Sequence, residues 1–242
     1  MKTALITGAS RGIGAAIATK LGKEGYHLSL CCQNSPDLLN ELAKELEQTY
    51  HIFVMTHVGN VGDYPFVSKM VSDTLAHFGQ IDVLINNAGI SRVGLLCDMT
   101  PEQWNELLQV NLSSVFYTCK EVIPSMVRKK HGAILNISSV WGNIGASCEA
   151  AYSATKGGMN SLTRALGKEL APSNIPVNAI ACGCVDTSMN SCFSTDDLSA
   201  LADEIPAGHF ASPQEVADFA YQILTSPTYL TGQILTFDGG WI

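Results

Sequence analysis

The chain has 242 residues, 46% of them hydrophobic and only 15% charged, with a formal net charge of −8. That length and apolar content suit one large core in one domain. An acidic chain with no basic stripe argues against nucleic acid, and no apolar run reaches membrane-spanning length.

The first apolar strand begins at Thr3, which leaves no room for a secretory signal, so a cytoplasmic protein is expected. The eight cysteines, at positions 31, 32, 97, 119, 148, 182, 184 and 192, then read as free thiols in a reducing compartment. Cys31-Cys32 and Cys182-Gly183-Cys184 lack metal-site spacing and the six histidines are scattered, so no metal site is expected.

Thr3-Ala4-Leu5-Ile6-Thr7-Gly8 is a short apolar run ending in glycine and reads as a buried strand. Gly8-Ala9-Ser10-Arg11-Gly12-Ile13-Gly14 follows, then a helical pattern from Ala15 to Lys23. A glycine-rich turn between strand and helix lets the backbone approach a pyrophosphate. The helix N-terminus adds free N–H groups and a favourable dipole. The spacing is Gly-x-x-x-Gly-x-Gly rather than the commoner Gly-x-Gly-x-x-Gly.

His27 to Cys32 reads as the second strand. A carboxylate at its end would bind the ribose 2′-hydroxyl of NAD. Gln33-Asn34-Ser35 stand there instead, and Asp37 after Pro36 reads as a helix N-terminal residue. With Arg11 in the glycine turn, this favours a 2′-phosphate, and hence NADP(H).

A helix over Pro36–Thr49 leads to a strand over Ile52–Thr56, a helix over Tyr64–Phe78 and a strand over Ile81–Ile85 that runs into Asn86-Asn87-Ala88-Gly89. Asn and Gly are turn residues, but small and amide groups at a strand's carboxyl end also suit a ligand edge. A long helix over Pro101–Lys129 has Thr100 as N-cap, Asn111 in its middle and Pro124 near its end, where a bend is expected. A mid-helix asparagine is either merely tolerated or marks a break lined for function. Arg128-Lys129-Lys130-His131 reads as a solvated helix end. Gly132–Ser138 is a strand closed by Ser139, the helix carrying Tyr152 runs to about Leu170, and Ile175–Ala181 is the sixth strand. Asp186–Glu204 is irregular with a weak helical pattern, Pro213–Leu224 helical and Gln233–Phe237 the last strand.

This alternation predicts an α/β protein with a doubly wound parallel sheet of seven strands, the Rossmann fold. Ligands then bind at the carboxyl ends of the strands, where Gly8, Asn87, Ser139 and Gly183 all fall. The single domain spans 1–242, with a cofactor half over about 1–90, a catalytic and substrate half over about 91–242 and a mobile lid over about 186–210.

Tyr152 and Lys156 are four apart and share one face of their helix. An ammonium near a phenol favours phenolate, which moves the tyrosine toward useful acid–base chemistry. Such a pair also occurs on ordinary amphipathic helices. The glycine turn and the polar strand ends favour the chemical reading.

The chain resembles the short-chain dehydrogenase/reductase family over essentially its whole length. The resemblance rests on Thr7-Gly8-Ala9-Ser10-Arg11-Gly12-Ile13-Gly14, Asn86-Asn87-Ala88-Gly89, Asn111, Ser139, Tyr152-x-x-x-Lys156 and Asp238-Gly239-Gly240. Ile205-Pro206-Ala207-Gly208, Leu230-Thr231-Gly232-Gln233 and the lid length are similar to the β-ketoacyl-acyl-carrier-protein reductases of that family. The resemblance implies that Tyr152 donates a proton to a carbonyl oxygen as hydride arrives from the nicotinamide. It implies that Lys156 lowers the tyrosine pKa and binds the nicotinamide ribose, that Ser139 stabilises the oxyanion, and that Asn111 positions a water relaying protons to Lys156. Gly8, Ser10, Arg11, Ile13 and Gly14 would wrap the cofactor phosphates and ribose, with Asn60 and Val61 at the adenine. Asn87, Ala88 and Gly89 would line the cofactor, and Gly183, Val185 and Thr187 its nicotinamide end.

The chain departs from the family in several places. Asn34 stands where NADP members often carry a basic residue, and Cys182-Gly183 replaces Pro-Gly. Glu149 replaces a frequent glutamine at the substrate mouth, beside Ser139 and Tyr152 as candidate substrate contacts. Of two basic positions linked to carrier binding, Lys130 matches one and Ser173 falls at the other. The implied activity is NADPH-dependent reduction of a 3-oxoacyl thioester held on an acyl carrier protein, as in fatty acid biosynthesis, by a homotetramer. The alternatives are another alcohol–ketone pair (polyol, sugar, steroid or small ketone) and a cofactor-sensing protein without catalysis. The presence of Tyr152, Lys156, Ser139 and Asn111 argues against the last.

Overall fold

A computed structural model describes residues 1–190 and 193–242. The strands are β1 (Thr3–Thr7), β2 (His27–Cys32), β3 (Val54–Val58), β4 (Val83–Asn86), β5 (Ala133–Ser139), β6 (Val177–Cys182) and β7 (Ile234–Phe237). All pair in parallel, in the order β3-β2-β1-β4-β5-β6-β7. β1, β4 and β6 are buried at every residue, as expected for strands covered on both faces.

The helices are α1 (Gly12–Lys23), α2 (Pro36–Tyr50), α3 (Tyr64–Phe78), α4 (Pro101–Leu108), α5 (Ser114–Lys129), α6 (Trp141–Ile144), α7 (Ala150–Leu170), α8 (Thr195–Glu204) and α9 (Pro213–Thr225). They form two layers. Ile17 and Leu21 of α1, Leu39 and Leu46 of α2 and Val216 and Ala220 of α9 share one core. Val67 and Met70 of α3, Val115 and Val122 of α5 and Met159 and Leu170 of α7 share the other. The chain winds outward from β1 to β3 and then returns to place β4 beside β1. That reversal opens a crevice between the carboxyl ends of β1 and β4.

Several element ends move by one or two residues from the sequence reading, as at β4 (Val83 for Ile81) and β6 (Val177 for Ile175), and four differences are larger or have a clear cause. β3 starts at Val54, because Ile52 is buried against Gly22 of α1 before pairing begins at Leu28–Val54. The helix expected over 101–129 is broken by a π-turn at Gln109–Ser113. The irregular 186–204 stretch contains α8, opened by a reciprocal cap between Ser194 and Asp197. None of the residues of α8 is buried, so its apolar pattern is weak. A one-turn helix, α6, follows Ser139 and has no buried residue either.

Seven cysteines are free thiols, and Cys192 lies outside the described residues. Among the described residues no helix is long and apolar enough to cross a membrane, and no cluster of His, Cys, Asp and Glu could hold a metal ion.

Candidate active site

The glycine turn is folded tightly onto the end of β4. Gly8 is in the left-handed region at φ +66, and a β-carbon there would stand 2.8 Å from the Ala88 Cα. A β-carbon on Gly14 would stand 2.2 Å from the Gly8 carbonyl oxygen and 2.5 Å from Asn87 Nδ2. Asn87 Nδ2 donates to the carbonyls of Thr7 at 3.0 Å and Gly8 at 2.9 Å. Thr7 Oγ1 accepts from the Asn87 and Ala88 amides at 3.0 and 3.1 Å. The result is a tightly packed turn in which Gly14 lies directly against the Gly8 carbonyl and the Asn87 amide.

Arg11 is the exposed, extended N-cap of α1, and no side chain caps that helix. The first N–H groups of α1 therefore face the crevice without a capping acceptor, a ready anion site. Ser10 and Ile13 flank them, each half-buried. The Arg11 guanidinium makes no ion pair among the described residues. Asn34 is exposed just past β2. Asn60 and Val61 lie just past β3, whose end is tied to that of β2 by Gly59 N–H donating to the Cys32 carbonyl at 2.9 Å. On the other side, Gly183 packs against Asp238, at 2.8 Å from a built β-carbon to the Asp238 Cβ. Val185 bridges to Ala211, and the Thr187 methyl stands 3.3 Å from a β-carbon built on Gly12. The expected cofactor residues thus fall at or just past the carboxyl ends of β1 to β6, where the glycine turn and the uncapped α1 fit a dinucleotide.

The candidate catalytic groups are buried at its inner end. Tyr152 is 9% exposed, Ser139 7%, Lys156 4% and Asn111 0%. Lys156 Nζ donates to the Ile137 carbonyl at 2.8 Å and lies 5.6 Å from the centre of the Tyr152 ring. The Ser139 hydroxyl stands beside the Tyr152 phenol, and its Oγ accepts from the Trp141 amide at 3.2 Å. A β-carbon on Gly89 would meet Asn111 Oδ1 at 3.5 Å and Lys156 Nζ at 3.7 Å, so this glycine keeps open the space between them.

Two expectations change here. Burial, then the Glu149 carboxylate, pushes the Tyr152 phenol above its ordinary range, and the Ser139 hydrogen bond only partly opposes this. Burial also pushes the Lys156 ammonium down to about 8. Burial and the Glu149 carboxylate thus set the direction of the phenol's shift, and Lys156 is not among the groups that move it. The Asn111 side chain is also committed. It accepts from Ile90 N–H at 2.8 Å and donates to the Ile90 carbonyl at 2.8 Å and Thr155 Oγ1 at 3.2 Å. Its amide oxygen keeps a second lone pair.

Glu149 accepts from Ser91 Oγ at 2.5 Å, joining the loop after β4 to the N-terminus of α7. Cys182 is buried, and burial pushes its thiol up to about 12, which makes it a poor nucleophile. A cavity of about 630 Å³ opens between the loop after β6 and α8, lined by Thr187, Asn190, Phe193, Leu198 and His209 among others.

The basic residues Arg128, Lys129 and Lys130 end α5 where the chain enters β5. Ser139 is at the other end of that 7-residue strand, about 20 Å away at ~3.3 Å per residue. Lys129 Nζ is used locally, donating to the Gly79 carbonyl and Gln80 Oε1 at 3.1 Å each. Within one chain this patch does not border the candidate site. Ser91, Trp141 and the Ile137 carbonyl have no signal in the sequence. Their roles come from contacts across the fold. Thr155 lies within the Tyr–Lys motif and could have been found from its helical spacing.

The description "short chain dehydrogenase" belongs to a family model that matches residues 2–197. The chain is 40% identical over 241 residues to an uncharacterized oxidoreductase, YmfI, of Bacillus subtilis, covering 99% of this chain and 98% of that one. It is 35% identical over 240 residues to the 3-oxoacyl-[acyl-carrier-protein] reductase FabG of Staphylococcus aureus, covering 99% and 97%. A crystal structure of a variant actinorhodin polyketide ketoreductase with NADPH superposes with a TM-score of 0.94 at 32% identity, covering 99% of this chain and 97% of that one.

Proposed function

The chain belongs to the short-chain dehydrogenase family, and on that premise we propose that this oxidoreductase is an NADPH-dependent carbonyl reductase acting on a 3-oxoacyl thioester. The observation that carries the reaction type is the burial together of Ser139, Tyr152 and Lys156, with Lys156 Nζ 5.6 Å from the centre of the Tyr152 ring. The bound nicotinamide supplies hydride to the carbonyl carbon. Ser139 and Tyr152 hydrogen-bond the carbonyl oxygen, and Tyr152 gives it a proton as negative charge develops. A phenol held above its ordinary pKa stays protonated and ready to donate. The Lys156 ammonium lies behind the ring, where it stabilises the phenolate left after transfer. Asn111 fixes Ile90 and the π-turn, and so fixes the wall beside Lys156.

Val93, Leu95 and Leu96 after β4 and Ile144 in α6 are exposed apolar residues on loops at the carboxyl edge. They suit an acyl body better than a polyol. Similarity to FabG supports the thioester. The distance of the basic patch from Ser139 favours a second reading, a free ketone that needs no carrier. We also propose a cytoplasmic homotetramer, since Phe116 and Val127 leave apolar surface exposed on α5. Light scattering at micromolar concentration tests the assembly, and a monomer mass rejects it.

A substrate panel read by NADPH and NADH oxidation tests the activity. Turnover of 3-oxoacyl thioesters with NADPH is expected. Efficient reduction of a diketone or sugar, with none of the thioester, would leave only the carbonyl-reductase reading.

A further inference from the structure

The segment that follows Ser139 has little of its own to hold it. It makes one helical turn, α6, in which no residue is buried, and Asn143, Ile144 and Gly145 are exposed. A lone turn is costly to form, so its conformation depends on what it packs against. The Val140 amide donates to the Cys182 carbonyl at 2.9 Å and the Ala146 amide to Ser153 Oγ at 3.1 Å, and between them three further contacts dock the turn. A β-carbon on Gly142 would stand 2.7 Å from the Lys156 carbonyl carbon, so the turn lies directly on α7. Asn160 Nδ2 donates to Asn143 Oδ1 at 3.0 Å, while Asn160 Oδ1 accepts from Ser138 Oγ at 2.6 Å. The indole of Trp141 meets that of Trp241 edge to face, with centroids 4.9 Å apart and planes at 61°.

Trp241 is itself held by a closed turn. Asp238 accepts from Gly240 N–H and Ile242 N–H at 3.0 Å each, and the Trp241 amide donates to the Asp238 carbonyl at 3.3 Å. The same turn touches two other parts of the crevice. Gly183 packs on Asp238, and Ala207, just past α8, donates its amide to the Gly239 carbonyl at 3.1 Å.

The chemical consequence falls on Ser139. A serine hydroxyl has one proton and two lone pairs, and it rotates unless its partners fix it. The Trp141 amide occupies one lone pair at 3.2 Å, which pins the oxygen and leaves its proton and the other lone pair for a carbonyl oxygen. We infer that Trp241 is a positioning residue for Ser139, acting through the Trp141 indole and amide. It holds the hydroxyl in the orientation that stabilises a carbonyl oxygen. The kinetic part of this inference rests on the carbonyl-reductase reading above, while its structural part does not.

A double-mutant cycle tests it. Trp241→Ala should lower kcat about tenfold and leave KM for NADPH within about twofold, because Ser139 acts in the transition state and not in cofactor binding. Trp241→Phe should restore most of the loss, since it keeps an aromatic edge. In a Ser139→Ala background, Trp241→Ala should change kcat less than about twofold, as expected for coupled residues. An equal loss in both backgrounds overturns the inference. Amide hydrogen exchange gives a readout free of activity. In Trp241→Ala, residues 139–145 should exchange faster while β4 and α1 keep their protection. Unchanged exchange at 139–145 also overturns it. Should Trp241→Ala fail to fold, Trp241→Leu takes its place under the same criteria. If the wild-type protein reduces no ketone, the function proposed above falls and the exchange experiment alone decides the role of Trp241.

Discussion

Lys156 Nζ donates to the carbonyl of Ile137 at 2.8 Å, two residues before Ser139 on the same strand. β5 therefore places both the candidate ammonium and the candidate oxyanion donor, and α7 only has to dock against it. The bond also holds the ammonium in a dry site, and burial pushes it down to about 8.

A pH dependence follows. If the cation is the active form, kcat/KM for reduction falls as pH rises through about 8, because that ratio reports the free enzyme. Lys156→Arg, which stays charged, should remove the alkaline limb whatever its absolute rate. The stability sign is opposite. The folded protein loses this proton near 8 and the unfolded chain near 10.5. The unfolded state then binds more protons between those values, so this group's contribution to stability rises across that interval. Its cost is fully present below 8. A pH–rate profile flat to pH 10 would sink the assignment.

Tyr152→Phe should remove nearly all turnover and leave NADPH affinity within about threefold, since a proton transferred only in the transition state contributes to rate and not to binding. Ser139→Ala should cost on the order of a hundredfold in kcat, the usual loss of one oxyanion donor. Steady-state rates with fluorescence titration of NADPH check both. Near wild-type turnover in Tyr152→Phe would reject the proton donor.

Much of this arrangement was legible in the sequence, and the illegible parts share one cause. β2 and α3 have the boundaries read from the pattern. For α3, the Asp63 cap, Pro65 and Gly79 at φ +74 are local signals. The π-turn at Asn111 carries no such signal. Its residues would also make an α-helix, and it is fixed by bonds to Ile90, 21 positions away. α8 shows only as a weak helical pattern because it buries nothing, although its Ser194–Asp197 cap stands in the sequence. Strand ends such as Gly8, Asn87 and Gly183 could be placed because apolar runs stop there. The Ile137 carbonyl and Trp241 could not, since a backbone acceptor and a ring contact leave no pattern.

Gly14→Ala tests the floor of the crevice. Its β-carbon would stand 2.2 Å from the Gly8 carbonyl oxygen, a backbone atom that cannot step aside. Such overpacking costs about 1–3 kcal/mol, or a Tm fall of about 3–10 °C for a chain of this size. The stabilising shift that NADPH gives the wild-type protein should vanish in the variant. Thermal scans with and without NADPH decide it, and an intact shift would show that the crevice is not the dinucleotide site.

Arg128→Glu with Lys130→Glu tests carrier docking while leaving the Lys129 contacts in place. The patch lies at the amino end of β5, and Ser139 at its carboxyl end. Charge reversal should therefore leave reduction of small and carrier-bound thioesters alike within about twofold, beyond the screening length of exposed charges. A loss confined to the carrier-bound substrate, largest at low salt and shrinking as salt rises, would show that the patch serves the site of another subunit.

The cofactor preference turns on Arg11. A 2′-phosphate needs a cation, and a guanidinium grips it with two parallel hydrogen bonds. Arg11 is exposed, extended and without an ion pair among the described residues, so no carboxylate competes for it. Gln33 and Asn34 past β2 add no negative charge to repel the phosphate. The side chain caps nothing in α1, so its removal should not disturb the turn. Arg11→Ala should weaken NADPH by about ten- to a hundredfold, the worth of one charge-assisted phosphate contact. NADH should change less than about twofold, because it has no 2′-phosphate to lose. Dissociation constants from fluorescence titration of the two cofactors give the ratio. Equal weakening of both would mean that Arg11 shapes the glycine turn and that the NADPH preference, if present, lies elsewhere along β2.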